Sequence, residues 1–345
     1  MAKGTKKESQ TQEDSCDQLS IAIVTDAWSP QVNGVVTTYQ NTIQQLSNMG
    51  INCYIVHPGQ PDLKTVPLPG YREIEIVVNP WRIKSSLDWF IKRGYKIHVA
   101  TEGPLGLFAV CYLAKKKYPF TTCYHSKFPE FIQARTGIAA RWFYPYFRWF
   151  HSASKCVMVP SQGIKHLLED RGFKNVVVWT RGVDSNRFKP NKQNQAGNYI
   201  LCVSRVSREK NLDAFCQLDH PNKVLIGDGP YLDALMTKYP DVHFEGKQTG
   251  SLLVSWYDSA QCFVFPSTED TFGVVLLESI ACGTPVASYP CPGADEVLEY
   301  SNGAISTNLQ DAVNEAITKN RQEVYETSKA WTWRRATENF VKNLK

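Results

Sequence analysis

Short β-branched and aromatic runs alternate with amphipathic helical stretches along almost the whole chain, and the alternation restarts once after a polar break. The first series reads Ser20–Thr25 as strand, Val35–Met49 as a helix with Val36, Tyr39, Ile43 and Leu46 on one face, and Ile51–His57 as strand. Further strand-like runs follow at Ile74–Val78, Ile97–Ala100, Thr121–Tyr124, Cys156–Val159 and Val176–Trp179. This βαβα order predicts a parallel sheet covered by helices on both faces. The break is the turn-rich Arg181-Gly-Val-Asp-Ser-Asn-Arg-Phe-Lys-Pro190 and the polar stretch 191–198. Strands resume at Tyr199–Ser204, Lys223–Ile226, Val242–Glu245, Gln261–Phe265 and Pro285–Ser288, and Trp331–Lys345 reads as one more amphipathic helix. The expected division is a flexible polar tail over 1–19, a doubly wound α/β domain over 20–185, a second over 186–330, and a terminal helix over 331–345. Two such units predict a cleft, with ligands at the carboxyl ends of the strands.

Composition agrees with two domains. The 345 residues exceed one ordinary domain of about 100–150. With 43% hydrophobic and 21% charged residues, a disordered, collagenous or coiled-coil chain is excluded. No apolar stretch approaches the ~20 residues of a membrane span, and the first twenty residues lack the apolar core of a signal peptide. The expectation is therefore a cytoplasmic protein. Its net charge of +5 is unevenly spread: Met1–Lys189 holds 24 Lys and Arg against 14 Asp and Glu, and the remainder 14 against 19. A basic half can meet nucleic acid, an anionic membrane surface or a polyanionic substrate, although scattered surface lysine is the simpler account. The ten cysteines include no Cys-x-x-Cys pair and read as small buried hydrophobes.

Four segments carry chemistry. Ser20–Thr25 runs into Asp26-Ala-Trp-Ser-Pro-Gln-Val-Asn33-Gly34, where a helix begins. Backbone amides there, with Gly34 permitting close approach, suit a phosphate, and they equally suit a plain strand-to-helix turn. Arg205-Val-Ser-Arg-Glu-Lys210 closes the first strand of the second unit, where two cations could hold a diphosphate. Pro266-Ser-Thr-Glu-Asp270-Thr-Phe272-Gly273 leads into a helix bearing Glu278. Eight helical residues rise ~12 Å, so Asp270 and Glu278 cannot share one proton or metal but can grip two parts of an extended ligand. A capping Asp and an exposed helical Glu are the alternative. Finally, His125 ends a strand on the cleft side, a place for a structural or a catalytic imidazole. Dinucleotide and P-loop patterns are missing, since Gly227-Asp-Gly229 continues as Pro-Tyr-Leu.

Together these segments resemble the retaining glycosyltransferases of family four, which have the GT-B fold, and within them nucleotide-sugar-dependent mannosyltransferases and related lipid glycosyltransferases. The matching text includes Thr25-Asp-Ala-Trp-Ser-Pro-Gln-Val-Asn-Gly-Val35, Ala100-Thr-Glu-Gly-Pro-Leu-Gly106, Tyr124-His-Ser-Lys-Phe-Pro-Glu130, Arg181-Gly-Val-Asp184 with Phe188, and Gly227-Asp-Gly-Pro230. The resemblance implies that Asn33 and Gly34 bring the helix start to the diphosphate and that Arg205 and Lys210 neutralise it. It implies Glu278 on the ribose hydroxyls, Asp270 on the donor sugar, and the amides of Phe272 and Gly273 on sugar hydroxyls. His125, Asp270, Arg205 and Lys210 would form the catalytic set, with Glu102 and Lys127 on the acceptor side. The commonest family pattern is Glu-x7-Glu, and here its first acid is Asp270.

The implied reaction is sugar transfer with retention, GDP-mannose being the favoured donor and a glycan or lipid hydroxyl the acceptor. A UDP-sugar-dependent transferase and a non-catalytic sugar-binding subunit are the alternatives. No Asp-x-Asp occurs in the chain, so no metal and no other cofactor is expected. Nucleic acid is not an expected partner. The terminal helix is expected to cross back to the first domain. Ala140–His151 packs seven Phe, Trp and Tyr residues and a His into twelve positions beside Arg141 and Arg148. A buried helix is expected there in preference to an element lying on an anionic membrane.

Overall fold

The computed structural model describes residues 19–344 apart from 32, 69, 70 and 192–196. The expected tail, except Leu19, lies outside the described residues. The first lobe contains β1 (Ser20–Val24), α1 (Gly34–Asn48), β2 (Asn52–Val56), β3 (Thr65–Leu68), β4 (Tyr71–Val77), α2 (Lys84–Lys92), β5 (Lys96–Val99), α3 (Pro104–Lys115), β6 (Phe120–Cys123), α4 (Phe128–Thr136), α5 (Tyr144–Ser152), β7 (Val157–Val159), α6 (Gln162–Asp170) and β8 (Val176–Val178). The second contains β9 (Ile200–Val203), α7 (Leu212–Cys216), β10 (Lys223–Ile226), α8 (Leu232–Lys238), β11 (His243–Gly246), α9 (Gly250–Ser259), β12 (Cys262–Phe265), α10 (Val274–Ala281), β13 (Val286–Ser288), α11 (Pro292–Leu298), β14 (Ala304–Ile305), α12 (Leu309–Ala316) and α13 (Arg321–Ser328), and the chain ends on α14 (Trp333–Asn343).

Each lobe is built on a six-stranded sheet, in the orders β2-β1-β5-β6-β7-β8 and β11-β10-β9-β12-β13-β14. All the pairings in both are parallel. The α/β class expected from the alternation is the one observed. Strand residues feed two faces: Ala22 and Val24 enter one core while Ile21 and Ile23 enter the other. In the second lobe, Ile200 and Cys202 separate from Leu201 in the same way. Period-two alternation with both faces buried is what a helix-covered parallel sheet requires.

One expected strand is placed differently. The run around Ile74–Val78 does not join the parallel sheet; β4 pairs antiparallel with β3 as a separate hairpin. Asn79 pins its base, accepting from the Lys64 amide at 2.8 Å and donating to the Asp62 carbonyl at 3.0 Å. The position beside β1 is already filled by β5, and Val77 docks its apolar side into the core above that strand. The two-residue β14 was too short to read from periodicity.

The terminal helix α14 leaves the second lobe and packs on α1 of the first. Its Phe340 is fully buried with Ile21, Ile23, Tyr39 and Trp179, ring centroids of Phe340 and Trp179 lying 4.8 Å apart. Trp179 Nε1 donates to the Ala336 carbonyl at 3.0 Å. The aromatic segment divides by helical face: Tyr144, Phe147, Phe150 and His151 are buried, while Trp142, Tyr146 and Trp149 face solvent, Trp142 at 69% exposure. The expected buried helix is thus amphipathic, with Tyr146 and Trp149 turned outward from α5 and Trp142 from the 3-10 turn before it. The nine cysteines among the described residues are free thiols, seven of them buried. No helix among the described residues is long and apolar enough to cross a membrane.

Candidate active site

Strand order reverses between β1 and β5 in one lobe and between β9 and β12 in the other. Loops diverge at such switch points and open a crevice at the carboxyl ends of the strands. The loops after β1, β5 and β6 carry Asn33, Glu102 and His125; those after β9 and β12 carry Arg205, Lys210 and Asp270. The two sets touch. Thr271 donates its hydroxyl to the His125 carbonyl at 2.7 Å, and its own carbonyl accepts from Ser161 Oγ at 3.0 Å. Lys127 pairs with Glu269 across the same gap, and the Gln162 amide donates to Glu296 at 2.8 Å.

In the first lobe, Asn33 caps α1. Its Oδ1 accepts from the Val35 and Val36 amides, both at 3.0 Å. An arriving phosphate would displace that cap to use those amides. Nothing lies within 4 Å of where a Gly34 Cβ would stand, so the approach to the helix start is open. Asp26, which the motif reading did not single out, is engaged by the start of α3. Its carboxylate accepts from the amides of Leu105 at 2.7 Å and Gly106 at 3.1 Å and from the Thr101 hydroxyl at 2.8 Å. Burial outweighs those bonds and pushes its pKa up to about 6. The close packing explains Gly103 in the same motif, because a Cβ there would sit 2.4 Å from the Asp26 carboxyl carbon.

Of the two residues assigned to the acceptor, Lys127 is engaged by protein and Glu102 is buried with its Oε1 lacking a hydrogen-bond partner. The Glu102 side chain is buried, 3.4 Å from His151 Nε2, whose other ring nitrogen lies 2.8 Å from Thr122 Oγ1. Lys127 holds Glu269 as described. His125 is likewise buried, with Tyr39 Oη 3.0 Å from Nε2 and an Arg181 nitrogen 3.1 Å from Nδ1. Burial, reinforced by the Arg181 charge, holds its pKa well below the ordinary histidine value. Neither Tyr39 nor Arg181 was legible as a polar partner: Tyr39 falls on the apolar face of α1, and Arg181 in a segment that reads as a turn.

In the second lobe, Lys210 ends a single 3-10 turn and forms a 2.6 Å ion pair with Asp270. Asn211 Nδ2 donates to the Pro266 carbonyl at 3.0 Å, tying the cationic turn to the acidic loop. Arg205 is exposed on the same loop. The acidic loop is held from behind, the Gly293 amide donating to the Asp270 carbonyl at 3.1 Å. Gly273 caps α10 at φ +78, a left-handed conformation that favours glycine. Among the described residues the amides of Phe272 and Gly273 meet no acceptor, so both can serve a ligand. Glu278, one turn into α10, accepts from Tyr257 Oη at 3.0 Å. Burial raises its pKa to about 7, opposed by the Tyr257 bond and the Arg187 charge. Among the described residues no three His, Cys, Asp or Glu side chains converge as a metal site would require.

Comparison with known proteins places this geometry. Residues 32–187 match the family model Glycosyltransferase Family 4, and residues 197–320 match Glycosyl transferases group 1. The chain is 26% identical to a GDP-mannose-dependent alpha-mannosyltransferase of Corynebacterium glutamicum, over 86% of this chain and 78% of that protein. It is 28% identical to a sulfoquinovosyl transferase of Arabidopsis thaliana, over 77% of this chain and 58% of that one. The fold superimposes on sucrose-phosphate synthase from Thermosynechococcus elongatus with a TM-score of 0.73 at 17% identity, covering 94% and 98% of the two chains. With both lobes matched in order, and with the cationic loop after β9 joined to the acidic loop after β12 in the second lobe, the chain belongs to the glycosyltransferases of family 4 and has the GT-B fold.

Proposed function

We propose that the chain transfers a hexose, mannose from GDP-mannose in preference, from a nucleoside diphosphate to a hydroxyl of a glycan or lipid, with retention and without a metal ion. The observation that carries this reading is the Lys210–Asp270 ion pair, which joins the cationic loop after β9 to the acidic loop after β12. In the free protein each charge neutralises the other. An arriving donor separates them: the ammonium goes to the diphosphate and the carboxylate to the sugar. Arg205 adds a second cation where negative charge grows as the glycosidic bond breaks, and the α1 amides add the positive end of a helix dipole. Glu278 accepts from the ribose hydroxyls, and the amides of Phe272 and Gly273 hold the sugar. The acceptor hydroxyl attacks the anomeric carbon from the face on which the diphosphate departs, which retains configuration.

The likeness to a GDP-mannose-dependent enzyme supports the donor, and the likeness to a sulfoquinovosyl transferase supports a second reading with a different sugar, for which a UDP-sugar is the alternative donor. Exposed Trp142, Tyr146 and Trp149 with Arg141 and Arg148 support peripheral contact with an anionic membrane that carries the acceptor. The test is a thermal shift with GDP, UDP and ADP, in which the matching nucleotide stabilises most, followed by transfer from the corresponding sugar nucleotide in EDTA. Preferential stabilisation by UDP would select the second reading. Activity lost in EDTA and restored by manganese would overturn the metal-free mechanism.

A further inference from the structure

Behind the cleft runs a chain of buried polar side chains that the donor reading leaves unused. Arg181 is 3% exposed, and among the described residues its guanidinium pairs with no carboxylate. It donates to the Trp179 carbonyl at 2.5 Å and stacks over the Trp179 ring at 4.4 Å. Its other terminal nitrogen lies 3.1 Å from His125 Nδ1. The next contacts are His125 Nε2 to Tyr39 Oη at 3.0 Å, Tyr39 Oη to His98 Nε2 at 2.8 Å, and His98 Nδ1 to Thr121 Oγ1 at 2.8 Å.

Donor and acceptor chemistry allows one direction through this series. Arginine has no acceptor, so His125 Nδ1 must present its lone pair and carry no proton. The ring proton is then on Nε2 and is donated to Tyr39. Tyr39 in turn donates to His98 Nε2, which leaves the His98 proton on Nδ1, facing Thr121. A second proton on His125 would point an N–H at the N–H of Arg181. The groups facing the His125 ring are Tyr39 from α1, His98 from β5, and Trp179 and Arg181 from the segment after β8, with the Cys123 thiol beside Tyr39 and Arg181. Glu102 is the carboxylate whose charge reaches Tyr39 and Cys123.

We propose that Arg181 and Tyr39 are positioning residues for the transfer reaction: they hold His125 as the neutral Nε2–H tautomer, with both ring nitrogens turned into the fold. The ring then exchanges no proton with a substrate and presents an uncharged wall beside the cleft. This follows from the retaining-transferase reading, in which positive charge develops on the transferred sugar and a neighbouring imidazolium would oppose it. Burial and the Arg181 charge depress the pKa of His125, and that of His98 falls to about 3. Tyr39 also lies five residues into α1, so the same hydroxyl joins the helix that faces the diphosphate to the strand end bearing His125.

The experiment is nitrogen NMR of the full chain labelled in histidine, without donor, with His125→Asn to assign the signal. The expected result is a protonated Nε2 and an unprotonated Nδ1 that do not change between pH 5 and pH 8. Titration near the ordinary histidine value, or a protonated Nδ1, overturns the proposal. Because no substrate is present, this result stands apart from the transferase reading. In kinetics, Tyr39→Phe keeps the ring and removes the hydroxyl. It is expected to lower kcat roughly tenfold, as loss of about one hydrogen bond does, with donor KM within about twofold, and to introduce a fall in rate at acid pH. Arg181→Lys, which retains a charged donor, should recover part of what Arg181→Met loses. Unchanged ring signals and kcat in Tyr39→Phe would also overturn the proposal. If the variants do not fold, the titration of the unmodified chain decides alone.

Discussion

Thr271 and His125, on opposite lobes, are joined by a hydrogen bond from the threonine hydroxyl to the histidine main-chain oxygen, 2.7 Å long. The same threonine accepts from Ser161 through its own carbonyl. A residue next to the acidic Asp270 is therefore held at two points by the other lobe.

Replacing Thr271 with valine keeps the shape and removes the donor. The His125 carbonyl loses its partner, which costs about 1–3 kcal/mol where the group stays buried. The expected outcome is roughly a tenfold lower kcat with a smaller change in donor KM. A double-mutant cycle with Ser161→Ala should show non-additive losses, since both bonds hold the same residue to the first lobe.

Lys210→Ala removes the cation that pairs with Asp270 in the free protein and, in the proposed reaction, meets the diphosphate. Removing one group that stabilises developing negative charge lowers kcat by about a hundredfold or more. Steady-state kinetics should show that loss with acceptor KM within about twofold. Comparable losses on both substrates would argue against a role at the diphosphate.

Glu278 predicts a pH dependence. Its pKa is raised from 4.5 to about 7 by burial. The group's contribution to stability is therefore fully present below pH 4.5 and is lost as pH rises through about 7, where the carboxyl ionises inside the fold. In the proposed reaction the ribose hydroxyls donate to the ionised form, so binding would release a proton. Calorimetry should find nucleotide affinity rising between pH 6 and pH 8, and Glu278→Gln should flatten that slope and weaken binding at the upper end.

Phe340→Ala tests the return of the terminal helix. Its ring is buried against Trp179 in the first-lobe core, so truncation should cost about 3–5 kcal/mol. Hydrogen exchange should show the loss in β1 and α1 rather than in the second-lobe sheet. A loss confined to the second lobe would contradict the packing.

Much of the architecture was legible because its signals are local. β10 over Lys223–Ile226 was read to the residue, and α1 was displaced by one position at each end. Periodicity shows where apolar faces repeat; it does not say which strand lies beside which. That is why the run at Ile74–Val78 was placed in the wrong sheet: a hairpin strand and a parallel strand share one alternation, and the difference lies in Asn79 pinning Lys64 and Asp62. The candidate site followed the same division. Lys210, Asp270 and Glu278 stand out because charge at a strand end or in an apolar helix is conspicuous. Tyr39 and Arg181 are as central to the geometry, yet their partners are 86 and 56 residues from them in the chain, and no spacing rule spans such distances.

The sequence alone determined the class of fold, the two lobes and the family, because alternation, turn chemistry and ordered motifs are properties of short segments. Tertiary structure decided what each side chain faces. It paired Lys210 with Asp270, turned Glu102 toward His151 and Lys127 toward Glu269, and engaged both nitrogens of His125 inside the fold. The physical reason is that a hydrogen bond or ion pair depends on distances of about 3 Å between groups far apart in the chain, and those distances exist only once the sheets and the crossing terminal helix have packed.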